Sequence, residues 1–136
     1  MNRLTAMIVL LLCLVPAITL ANVGIVTRCW KDGNPISSDT VFAALCTADS
    51  AAWNVYTKGY TGLYDNVVVW GVSGINPDVE LPTGNFYQFY AKHPGGSGGD
   101  SYSNWSAVIF YAADDQYDSI NLNLNLTSDP GAPHWP

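Results

Sequence analysis

Few side chains in this 136-residue sequence can move protons. Glu80 is the only glutamate, and His93 and His134 are the only histidines. A Glu80/His93 pair can act as general base and acid, as in small secreted ribonucleases, and is the candidate for a hydrolase. No nucleophile-elbow motif surrounds a serine. Asp114, Asp115 and Asp118 are spaced as loop carboxylates that hold calcium. They lack the glycine and distal glutamate of an EF-hand, so the cluster reads as a solvated turn. Two cysteines beyond the N-terminal segment and two distant histidines have no zinc-ligand spacing, and no metal or other cofactor is expected.

Aromatic residues offer a different chemistry. The chain holds five Trp, eight Tyr and four Phe, more than a small core requires. Tyr and Trp combine an apolar ring with a polar tip, which suits sugar stacking, headgroup cages and membrane interfaces. Ring faces also attract quaternary ammonium groups through the cation–π interaction. The stretch "SYSNWSAVIFYAADDQYD", residues 101–118, follows directly on "HPGGSGGD". That position makes Tyr102 and Trp105 candidates for a surface platform beside a glycine-rich loop. Trp70, Phe89 and Phe110 are expected to pack the core.

The segment "YSNWSAVIFY" resembles the phosphocholine-site strand of actinoporins, the pore-forming cytolysins of sea anemones and their relatives. "NVGI", "NVVVWGV", "QFYAKHP" and "DDQYD" resemble further parts of that family in the same order, and the looser similarity spans Val67 to Tyr117. The resemblance implies a β-sandwich in which Tyr102, Trp105 and Tyr117 line a lipid-headgroup pocket and Tyr111 is framework. Ser106 stands where the family has a second tryptophan, and Ser101 where it often has another aromatic. The family's paired tyrosines after Tyr117 and its amphipathic N-terminal helix have no counterpart here. What the resemblance implies is therefore a headgroup-binding module without the perforating part.

Several elements must position these residues. Residues 1–21 read as a signal peptide: Arg3 gives a positive start, Met7 to Leu14 an apolar run, and Thr19-Leu20-Ala21 a small-residue cleavage site. The apolar run is short of the ~20 residues that a membrane span needs. The mature chain then begins at Asn22 and is secreted. It divides into a domain over 22–128 and an irregular tail over 129–136, within the size of one domain. Cys29 and Cys46 are expected to form a disulfide in an oxidising compartment. The sequons Asn104-Trp105-Ser106 and Asn125-Leu126-Thr127 are candidate N-glycosylation sites.

Without Arg3, four basic residues face eleven acidic ones. That balance repels phosphate backbones and argues against a nucleic-acid partner. Short β-branched and aromatic runs separated by Gly, Pro and Asn turns predict an all-β, single-domain antiparallel sandwich. Ser38 or Asp39 can cap a short helix running through Cys46. In "SINLNLNLTS", Ile120, Leu122, Leu124 and Leu126 alternate with Asn121, Asn123 and Asn125, the period of a strand with one buried face. The function expected is non-catalytic recognition of a lipid headgroup or glycan through Tyr102, Trp105 and Tyr117. The rivals are a secreted microbial effector that binds a host protein, and a hydrolase using Glu80 and His93.

Overall fold

A computed structural model describes residues 24–47, 52–62, 65–72, 77–112 and 117–133, with Tyr117 described in its main chain alone. The segment read as a leader, Asp114, Asp115, the Tyr117 side chain and His134 lie outside the described residues. Among the described residues, ten strands build two sheets that pack face to face as a β-sandwich.

The first sheet contains β1 (Gly24–Lys31), the two-residue β2 (Asn34–Pro35), β5 (Val67–Gly71), β6 (Val79–Glu80) and β10 (Tyr117–Asn123). Its order is β10-β1-β5-β6, with β2 folding back on the end of β1. The sheet is mixed: β1 runs parallel to β10, from Gly24↔Tyr117 to Trp30↔Asn123, and antiparallel to β5. The β10 alternation follows the predicted period. Leu122 and Leu124 enter the core with Ile120 packed against it, and the three asparagines are exposed.

The second sheet contains β3 (Thr40–Thr47), β4 (Asn54–Tyr60), β7 (Asn85–His93), β8 (Ser101–Tyr102) and β9 (Ile109–Tyr111). β4, β3 and β7 lie side by side, and β8 and β9 share the outer flank of β7 at opposite ends. The helix expected after Ser38 or Asp39 is instead strand β3. Every residue from Thr40 to Thr47 has a partner on β7, and most also have one on β4. Pairing on two sides outweighs a local capping signal, because helix propensity is a weak prior against tertiary context. Asp39 is fully buried and receives hydrogen bonds through its Oδ2 from Thr61 Oγ1 (3.2 Å).

The core closes where the sheets meet. Trp70 of β5 and Phe89 of β7 have no exposed surface, and their rings lie 5.1 Å apart across the interface. Buried indole N–H groups need an acceptor, and Trp70 finds one in Thr27 Oγ1 at 2.9 Å. Truncating either ring to alanine would cost about 3–5 kcal/mol. Gly59 keeps β4 close to the first sheet: a Cβ there would meet Val68 Cγ1 at 2.6 Å.

The expected disulfide is overturned by this arrangement. Cys29 lies on β1, with its thiol bonded to the carboxylate of Asp39, just before β3 begins. Cys46 lies near the far end of β3 and directs its Sγ to the Thr47 carbonyl. Strand rise over those seven residues is about 20 Å, well beyond the Cα separation that a disulfide spans. Both thiols are buried, and neither is joined to the other.

Candidate binding surface

The segment 101–111 runs along β7 as an interrupted strand, and two serines fill the interruption. Ser103 donates its N–H to Ala91 O (3.0 Å), and its Oγ accepts the Ala91 N–H at 2.8 Å. Ser106 does the same to Phe89: its N–H reaches Phe89 O at 2.7 Å and its Oγ accepts the Phe89 N–H at 2.9 Å. Side-chain hydroxyls thus replace main-chain carbonyls where the chain bows outward. Asn104 and Trp105 ride on the bow.

Register determines which rings share a face. Phe42 pairs with both Tyr90 and Lys58, Thr40 with both Lys92 and Tyr60, Lys92 with Tyr102, and Phe86 with Phe110. These positions alternate with the core residues Val41, Ala43, Tyr87, Phe89 and Ala91, so they form the outer face of the second sheet. Phe42 stacks on Tyr90 at 4.8 Å, and Phe86 meets Phe110 at 4.8 Å. Trp105 packs on Tyr90 at 4.5 Å, tilted by 59°.

Tyr102 and Trp105, both singled out by the sequence, therefore stand on one aromatic face. Neither projects freely into solvent. Both are half-buried, and the Trp105 indole donates its N–H to Gly131 O at 3.0 Å. Tyr111 is fully buried in the core. Phe110 departs from expectation, since it is 43% exposed and belongs to the outer face. Phe42, Tyr60, Phe86 and Tyr90 join the same face, and the sequence reading did not select them. The signal for two of them was present in "NFYQFYAKH", where aromatics occupy both parities of β7. Phe42 and Tyr60 needed the register of β3 and β4.

Charge on this face is local. Lys92 Nζ lies 5.7 Å from the Tyr102 ring centroid and 3.0 Å from Asp100 Oδ2. Lys58 Nζ lies 5.8 Å from the Tyr60 centroid. The Asp100 carboxyl is held below its ordinary range by the Lys92 hydrogen bond, and next by the backbone N–H of Gly95. Lys92 is raised by the same partnership. Burial raises the Tyr90 phenol, with the nearby Asp129 carboxylate adding to it.

The proposed acid–base pair is divided between the sheets. Glu80 is exposed on β6, while His93 ends β7 with Nδ1 at 2.6 Å from Asp39 Oδ1. Cys29 is a poor nucleophile where it sits, because burial first, and then Asp39, push its thiol upward. Asn104 and Asn125 are both exposed. Among the described residues no group of three or more His, Cys, Asp or Glu side chains is placed to hold a metal ion, and no helix is long and apolar enough to cross a membrane. In comparisons with known proteins, the chain matches no family model, no curated protein and no solved structure.

Proposed function

We propose that this chain is a secreted, non-catalytic binding module that settles on choline-lipid membrane surfaces through the outer face of its second sheet. One observation carries the reading. Among the described residues, the exposed large hydrophobics are Val55, Tyr56, Tyr60 and Phe110, all on strands of that sheet. Tyr60 and Phe110 stand toward opposite ends of the sheet, and large apolar side chains left exposed across one sheet support an interaction surface there. Tyrosine and tryptophan favour the headgroup layer, where the ring is shielded and the polar tip stays wet.

Lys58 and Lys92 complement a phosphocholine group. Their ammonium groups attract the lipid phosphate, while neighbouring ring faces attract the quaternary ammonium. Choline lipids carry no net charge, so the acidic balance of the chain does not repel them. Tyr102 and Trp105 belong to this surface, whereas Tyr117, expected as a third ring, begins β10 of the first sheet and is not part of it. Co-sedimentation with phosphatidylcholine and sphingomyelin vesicles tests the reading. The wild-type protein pellets with vesicles, and Trp105→Ala stays in the supernatant while still unfolding in a single cooperative thermal transition. Equal retention of both proteins removes Trp105 from the site; failure of the wild type to pellet ends the membrane reading.

A further inference from the structure

β10 is the edge strand of the first sheet, and its outward positions form a row of amides. Asn121, Asn123 and Asn125 are all exposed. Asn121 and Asn123 stand two residues apart on the strand, about 6.5–7 Å along it, and Asn125 follows just past its end, where its N–H turns back onto the Asn123 carbonyl at 3.1 Å. Facing this row across a groove of about 200 Å³ are Asn104, Trp105 and Ser106. Among the described residues, no charged side chain lines the groove. Three of its four amides, Asn104, Asn123 and Asn125, bond to no other described side chain or main-chain group through their side chains. Amides elsewhere serve the fold: Asn66 Nδ2 donates to Cys29 O, and Asn85 Nδ2 to Thr83 O. The fourth groove amide is fixed in orientation, because Asn121 Oδ1 accepts the Trp30 indole proton at 2.8 Å and its NH₂ is left to donate.

We infer that this groove binds a neutral saccharide. Vicinal sugar hydroxyls are donor and acceptor at once, and a primary amide answers both with its NH₂ and carbonyl. An indole beside the amide row offers the flat apolar surface that the C–H face of a pyranose covers. The lack of cations disfavours phosphate, sulfate and sialic acid, whose capture uses Arg, Lys or a nest of backbone N–H groups. An extended peptide added to the free edge of β10 would bind through the main chain and make the amides dispensable. The row of uncommitted amides favours the sugar. Trp105 borders both this groove and the aromatic face, but the amides that hold the sugar lie on and just past the first sheet's edge strand, so amide variants on one side and Phe110 on the other separate the two readings.

The test takes protein produced in a host that adds no N-glycans, since glycans at Asn104 or Asn125 would enter the same groove. A panel of neutral hexose and N-acetylhexosamine oligosaccharides is screened, and hits are titrated by calorimetry. At least one neutral oligosaccharide binds, with affinity insensitive to salt. Asn123→Ala and Asn125→Ala each weaken it about three- to tenfold, the value of one hydrogen bond, without altering the thermal melt. Both variants still pellet with choline-lipid vesicles, while Phe110→Glu loses vesicles and keeps the sugar. A panel with no neutral binder overturns the inference, as does affinity that survives both amide substitutions, which assigns binding to the strand edge.

Discussion

Ser106 grips the main chain of Phe89 at both ends, giving its N–H to the carbonyl at 2.7 Å and taking the amide proton on Oγ at 2.9 Å. Phe89 is a core ring and Ser106 follows Trp105, so one two-point clasp ties the outer aromatic face to the centre of the sandwich. Ser103 repeats the clasp on Ala91, two residues further along β7.

Loss of either hydroxyl leaves a β7 amide without its acceptor. Ser106→Ala and Ser103→Ala are each expected to cost about 1–3 kcal/mol, the penalty of an unmet buried donor. Ser106→Ala also loosens the seat of Trp105 on Tyr90. Thermal melts read the first effect, and the second appears in near-ultraviolet circular dichroism. Unchanged melting temperatures in both variants would show that the hydroxyls are not the partners that hold this segment.

The cysteines supply a second expectation. Cys29, on β1 beside the start of β3, and Cys46, near the far end of β3, are both buried. Alkylation without reductant should modify neither in the native protein and both after unfolding in guanidinium, each adding one label by mass spectrometry. A mass two hydrogens lower, with no label taken up, would restore the disulfide.

A pH dependence follows from Asp100. Lys92 and the Gly95 N–H depress its carboxyl in the folded chain, and unfolding returns it to the ordinary value near 4. The stabilisation is therefore complete above that value and is lost as the pH falls through the depressed one. Amide resonances of residues 95–100 should shift as the pH falls below about 4. Lys92→Met should produce the same shift at pH 6. A loop spectrum that stays constant under both treatments contradicts the clip.

Much of the sandwich is readable from the residues. The asparagine–leucine alternation of β10, the valine run of β5 and the burial of Trp70 and Phe89 follow from apolar patterning. The strand at Thr40–Thr47 was hidden because Ser38 and Asp39 look like a helix cap. Ser38 instead takes a left-handed φ of 67°, and Asp39 is drawn inside by Thr61 and His93. Phe110 was misplaced because a serine-filled gap breaks the strand that "WSAVIFYAA" implies, leaving Ile109–Tyr111 alone paired. Tyr102 and Trp105 could be picked from local sequence. Their neighbours Phe42 and Tyr60 arrive from 42 or more residues away by register, which no local pattern contains.

The outer face of the second sheet is tested most directly by moving a negative charge around the molecule. Tyr60→Glu and Phe110→Glu place it on the aromatic face, and Ser119→Glu places it on the first sheet. Partition onto phosphatidylcholine–sphingomyelin vesicles should fall about tenfold or more for the first two, since each loses an inserted ring, and remain at the wild-type value for the third. Equal partition of all three folded variants would contradict the account.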